Sequence, residues 1–251
     1  MKNLTINDIR RSYETSPDTD FYKYSLARYI FRPLSFYVAW IAIKLKISPN
    51  QITFLSWFVL FLGCFNYATQ YFNYLFFSFS MIFLWALFDY VDGTMARALS
   101  ARSKFGHFID VVGAYYLFAF LPIAIALGTE GAMLSNVSTF IFASTGLTVN
   151  FLDPILLGSM SAISNLLLRL TLLRGQVTFD VNVRDIDETS NTASLIAWIE
   201  ALASPRGFFF PSLLLCEYFN ALDVFVLIYA LYYFLSLLIY TPIYCLKNSD
   251  K

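Results

Sequence analysis

Apolar residues fall along this chain in long runs of membrane length. The spans they predict are Gln51 to Ala68, Phe72 to Asp92, His107 to Leu127, Pro154 to Leu173, Gly207 to Asn220 with ragged ends, and Leu222 to Cys245. A bilayer core needs about 20 such residues per helix, so six spans and their loops fit the chain. Val137 to Leu152, with its Ser, Thr, Gly and Asn content, reads either as an interfacial helix or as the first half of a long, broken fourth span. Ahead of the first span, Phe21 to Lys46 interleaves Lys23, Arg28, Arg32, Lys44 and Lys46 with aromatic and aliphatic residues. That is the pattern of an amphipathic segment lying in the headgroup layer, and Pro33 is expected to break it into two pieces. Residues 1–20 are polar and mixed in charge, with turn formers from Ser12 to Asp20; they read as a flexible tail without the apolar core of a cleavable signal. The expected organisation is a tail over 1–20, an interfacial segment over 21–48 and one membrane domain over 49–247. The fold class is an all-α integral membrane protein with six transmembrane helices.

Composition agrees. With 58% hydrophobic and 19% aromatic residues the chain is too apolar for a soluble domain of 251 residues. The formal net charge is zero, and the useful fact is where the charges lie. Of seventeen Lys and Arg, eight precede residue 50, three lie between Arg97 and Lys104, four between Arg169 and Arg206, and Lys247 and Lys251 close the chain. The alternating loops, Gln70 to Asn73, Gly128 to Asn150 and Glu217 to Asp223, hold none. The positive-inside rule then predicts both termini, the turn after Arg97 and the Arg174 to Arg206 loop in the cytoplasm. Cys64, Cys216 and Cys245 show no pairing or metal-ligand spacing and read as packing residues. Tyr67, Tyr71, Tyr74, Tyr232, Tyr240 and Tyr244 read as an aromatic belt, and Asp180, Asp185, Asp187 and Glu188 as a solvated loop face.

The stretch from Phe88 to Tyr116 departs from this pattern, because it places Asp89, Asp92 and Asp110 where a membrane-length helix ends. Such groups cost several kcal/mol unless paired, metal-bound or facing water, which makes them functional candidates. Asp89 and Asp92, three apart, share one helix face. Gly93 and Ala96 continue that face almost without side chains, so that a ligand can approach the backbone, and Arg97 adds a cation that forks onto phosphate. Two carboxylates, a gap and a cation form the layout of a metal-diphosphate site. A helical hairpin closing around Arg102 to Lys104 would return Asp110 to face the first pair.

These residues resemble the signature of the CDP-alcohol phosphatidyltransferases, integral membrane enzymes that make phospholipids. That signature, D-x2-D-G-x2-A-R-x8-G-x3-D-x3-D, is matched at Asp89, Asp92, Gly93, Ala96, Arg97, Gly106 and Asp110, and is broken at the last position by Ala114. Ile47 to Thr53, I-S-P-N-Q-I-T, is similar to the P-N-x-x-T lead-in of the family's first transmembrane helix, which adds Asn50 and Thr53. The resemblance implies that Asp89, Asp92 and Asp110 hold two divalent cations, Mg²⁺ or Mn²⁺. It implies that Gly93 and Ala96 line a cytidine pocket and that Arg97 meets phosphate; Gly106, Asn50 and Thr53 join the substrate-binding set. The implied reaction is attack by an acceptor alcohol on the β-phosphate of a CDP-alcohol, with release of CMP. CDP-diacylglycerol is the first choice of donor, and CDP-choline, CDP-ethanolamine or a surface-glycan donor the second.

In the family the fourth Asp is a metal ligand and the expected base, so Ala114 implies an impaired enzyme. An engineered Asp-to-Ala truncation and a natural pseudoenzyme both account for it, and the intact remainder of the motif favours the first. A catalytically dead nucleotide-binding scaffold is the rival this leaves open. An ion channel or transporter fits less well, because the carboxylates gather at one membrane face. Arg169 and Arg174 read equally as binders of an acceptor's phosphate or lipid headgroups and as topology anchors. His107, beside Gly106, reads as a structural residue or a neighbour of substrate. The expected partners are the CDP-alcohol, the acceptor alcohol and membrane lipids, with a homodimer allowed for and no nucleic acid.

Overall fold

The computed structural model describes residues 4–14, 29–72, 76–129, 134, 136, 153–179 and 208–248. Among them the regular structure is entirely helical: α1 (Ile6–Glu14), α2 (Phe31–Lys44), α3 (Pro49–Thr69), α4 (Phe77–Ala98), α5 (Lys104–Gly128), α6 (Pro154–Phe179), α7 (Phe209–Tyr218) and α8 (Leu222–Asn248). Each of the six expected spans has a helix. Four of these helices, α3, α5, α6 and α8, are long and apolar enough to cross a membrane by length and composition. The chain is thus an all-α membrane protein. α4 has 22 residues but carries Asp89 and Asp92, and α7 covers only 10 residues, about 15 Å of rise and half a bilayer core. The Val137 to Leu152 question, the acidic residues from Asp180 to Glu188 and Tyr74 lie outside the described residues.

One expectation about the N-terminal region changes. Residues 6–14, expected within a flexible tail, form α1, whose Ile9 is fully buried. Thr5 and Asp8 start it with a reciprocal cap: the Thr5 amide and hydroxyl donate to the Asp8 carboxylate at 2.9 and 2.7 Å, and the Asp8 amide donates back to the Thr5 hydroxyl at 3.3 Å. Ile6, Ile9 and Tyr13 then share one face, which packs on α2 and α4. Pro33 was expected to break the Phe21 to Lys46 segment; α2 begins at Phe31 and holds Pro33 in its first turn, where its missing N–H leaves no helical hydrogen bond unmade, and the half of the segment over 21–28 lies outside the described residues. The outer stripe of α2, Leu34, Tyr37, Ile41 and Leu45, is exposed, the surface that a helix lying in a headgroup layer would turn to lipid.

α3 is the element on which the site is built. Ser48 caps it in a full capping box with Gln51, and Pro49 sits where proline is favoured. α4 and α5, consecutive in the chain, each pack along α3 rather than closely on one another. α5 in turn packs on α6, and α6 on α8, with Gly158 admitting α6 so close to α5 that an added Cβ would lie 2.7 Å from the Pro122 carbonyl oxygen. Tyr67, expected in the aromatic belt, is instead 1% exposed: its hydroxyl donates to Glu217 of α7 at 2.6 Å, which draws the ring inside.

Candidate active site in the cleft between α4 and α5

The first half of the acidic motif is one continuous helix. α4 runs from Phe77 through Asp89, Asp92, Gly93 and Ala96 to Arg97, so these residues keep the helical spacing that puts them on adjoining turns. It ends just beyond Arg97: Ser100 takes a left-handed conformation (φ 52°), its amide donates to the Arg97 carbonyl at 3.1 Å, and the Ala101 amide donates to the Ala96 carbonyl at 2.9 Å. Three residues later the Ser103 hydroxyl accepts from the Gly106 amide at 2.9 Å and starts α5. The expected hairpin turn is therefore built from two helix caps back to back.

Three contacts from α3 set how α4 and α5 face each other. The Thr53 hydroxyl donates to Asp92 Oδ2 at 2.5 Å. The Pro49 carbonyl lies 3.2 Å from the same hydroxyl, but one proton serves one strong bond, and the charged acceptor holds it. Trp57, one turn further, presses on Gly113 of α5, where a Cβ would lie 2.6 Å from the indole nitrogen. Asn50 reaches the start of α5, its Oδ1 being 3.3 Å from the place a Cβ would take on Gly106. Glycine at 106 and 113 thus lets α5 close on α3, and the rotation so fixed brings Asp110 towards Asp92.

Asp92 is the buried member of the set, 6% exposed, while Asp89 and Asp110 are half-buried. The charge of Asp110 acts directly on Asp92 and is opposed there by the charge of Arg97 and by the Gly93 amide. Arg97 bends back along its own helix until its guanidinium lies over Gly93, 3.5 Å from where a Cβ would stand. Ala96 is half-buried on the same helix end. Among the described residues no three His, Cys, Asp or Glu side chains are gathered into a ready-made metal centre. The donors do fit Mg²⁺ or Mn²⁺ in kind, since hard cations take carboxylate oxygens and two of the three carboxylates already lie within one another's field.

The remaining candidates divide. Ala114 is half-buried, one turn beyond Asp110 on α5. Arg169, on α6, is turned towards α5. Asn165 accepts from the Arg169 Nε at 2.8 Å, and the Arg169 guanidinium lies over Phe118 and Tyr115 of α5 at 4.4 and 5.4 Å, four and one residues past position 114. Arg174 is exposed on α6 and His107 is exposed in the first turn of α5. Sequence reasoning missed Trp57 and Asn165, whose parts here depend on partners 56 and 4 residues away. It also missed Tyr13, whose ring faces Arg97. The spacing of Ile6, Ile9 and Tyr13 behind a Thr5–Asp8 cap was the signal available for α1.

Fold and site together define an all-α membrane protein with an acidic, arginine-flanked cluster where α4 ends and α5 begins. The family model for CDP-alcohol phosphatidyltransferase matches residues 46–235, and the chain belongs to that family. It is thereby a member of a phosphotransferase family that moves a substituted phosphate from a CDP-alcohol to an alcohol. It is also similar to an uncharacterized protein of Aquifex aeolicus (strain VF5), 39% identical over 67 residues. That match covers 27% of this chain and 33% of the relative, so the chain spans about a third of the length of the curated relative it matches.

Proposed function

We propose that this chain binds a CDP-alcohol, in the first instance CDP-diacylglycerol, in the cleft between α4 and α5, and passes its phosphatidyl group to an acceptor alcohol with release of CMP. The observation that carries this reading is the field at Asp92: a buried carboxylate oriented by Thr53, acted on by Asp110 and countered by Arg97. Asp89, Asp92 and Asp110 would hold Mg²⁺ or Mn²⁺, which when bound supplies the positive charge that offsets a diphosphate. Gly93 leaves the backbone open beneath the Arg97 guanidinium, where a phosphate can be gripped by a fork of N–H donors. Asn50 and Gly106 close the end of the cleft next to the hairpin turn.

The acceptor hydroxyl needs a group that takes its proton, and such help is worth about 10²- to 10⁴-fold. Position 114, one turn past Asp110, is where the family carries it, and alanine offers no acceptor. We therefore expect the chain to bind donor and metal and to turn over poorly. Restoring the acid in Ala114→Asp should raise CMP release by at least about 10²-fold while leaving affinity for the cytidine moiety nearly unchanged. The test is CMP release in detergent with Mg²⁺ or Mn²⁺, from a panel of CDP-alcohols and acceptors, for both proteins. Equal turnover by the two would place the base elsewhere. Silence from both, with CDP still bound, would favour the second reading that Ala114 supports, a nucleotide-binding scaffold.

A further inference from the structure

Two helices outside the family-matched region reach into the site. α1 and α2 both precede residue 46, yet the Tyr13 ring of α1 faces two guanidiniums at once: Arg32 at 4.5 Å and Arg97 at 5.4 Å from its centroid. Arg32, only 8% exposed, lies with its other neighbour ring, Tyr90, at 4.7 Å. Tyr90 stands between Asp89 and Asp92 in the signature and is stacked on Phe31 at 5.4 Å with an interplanar angle of 7°. Phe36 of α2 supports Tyr13 from the side, 5.9 Å between centroids. The result is a ladder of rings and cations, Tyr13, Arg32, Tyr90 and Phe31, whose outermost ring also carries the signature arginine.

We infer that Tyr13 is a positioning residue for the CDP-alcohol site: the N-terminal helix holds the Arg97 guanidinium over Gly93, ready for phosphate, through the face of this ring. The inference rests on the functional reading above for what Arg97 binds, and on geometry alone for what holds Arg97. Arginine has several rotatable bonds and loses freedom when it grips a ligand, so a ring that fixes it beforehand lowers that loss. The burial of Ile9 gives α1 a reason to stay in place. An aromatic face attracts a cation, and more strongly when the pair is desolvated, so loss of the ring should read as a several-fold drop in affinity.

The experiment uses the full chain in detergent with Tyr13→Phe, which keeps the ring, and Tyr13→Leu, which keeps apolar volume without it; Tyr13→Met replaces the latter if it does not fold. Two readouts separate this inference from the functional reading. The first is a thermal-stability cycle of Tyr13→Leu with Arg97→Met in nucleotide-free protein, where contact predicts non-additive losses and additivity overturns the inference. The second is titration with CDP in Mg²⁺: Tyr13→Leu should bind about fivefold more weakly or worse, with Tyr13→Phe restoring affinity to within about twofold of the parent. A parent that binds CDP and a leucine variant that binds it equally would overturn the inference by itself. A parent that binds no CDP would overturn the functional reading, and the site role of Tyr13 with it, even if the stability cycle shows coupling.

Discussion

Replacing Thr53 by valine would remove one hydrogen bond and almost no volume, which makes it the cleanest probe of the buried carboxylate. Without the hydroxyl, Asp92 keeps its burial and the field of Asp110 but loses the donor that fixes Oδ2. Hydrogen bonds to charged groups contribute about 1.5–3 kcal/mol, so Thr53→Val should weaken Mg²⁺-dependent CDP binding by at least about tenfold, measured by titration calorimetry. Full retention of affinity would show that Asp92 needs no orienting donor. Asn substitutions at Asp89, Asp92 or Asp110 keep shape and remove charge. Each should abolish metal-dependent binding of CDP-alcohol, because a hard cation held by few ligands does not survive losing one. An Asn variant with the parent's metal requirement identifies a residue that is not a ligand.

The elements make two demands that the residues alone do not reveal. α5 approaches α3 through Gly113, so Gly113→Ala should drive a Cβ into the Trp57 indole and lower stability by about 1–3 kcal/mol, as overpacking does. Thermal melting in detergent measures it, and pairing the change with Trp57→Phe should return part of the loss; a wild-type melting temperature for Gly113→Ala would mean that α3 and α5 do not meet here. α1 depends on its cap. The Thr5 amide and hydroxyl hold the Asp8 carboxyl below the ordinary carboxylate range. A depressed acid adds stability above its unfolded pKa and loses it as pH falls through the folded value, so α1 should loosen on the acid side and not near neutrality. Amide exchange over Ile6–Glu14 should be faster in Asp8→Asn than in the parent at neutral pH. The difference should vanish in acid; no difference at any pH would mean that the cap does not hold the helix.

At the scale of the whole molecule, the cation pattern calls for a cytoplasmic site. Ser100 closes α4, and Thr129 stands at the far end of α5, whose 25 residues span about 37 Å. With the native cysteines replaced, a cysteine at Thr129 should label from outside and one at Ser100 should not; the reverse pattern would contradict the orientation. Most of the bundle was legible in the sequence because a bilayer demands long apolar runs, and the helices Pro49–Thr69, Lys104–Gly128 and Leu222–Asn248 begin within three residues of where those runs start. The acidic residues were legible for the converse reason, since carboxylates stand out against apolar neighbours. What could not be read was pairing at a distance. Tyr67 and Glu217 are 150 residues apart, and a tyrosine at a span's end looks like a belt residue until its partner arrives. α1 was hidden by its length, because nine polar-rich residues form no stable helix until α2 and α4 bury Ile9. The measurement that bears most directly on the central claim is calorimetric titration of the detergent-solubilised chain with CDP, with and without Mg²⁺, beside Asp92→Asn. The account predicts binding by the parent only with the metal and none by the variant; metal-independent binding, or equal binding by both proteins, would contradict it.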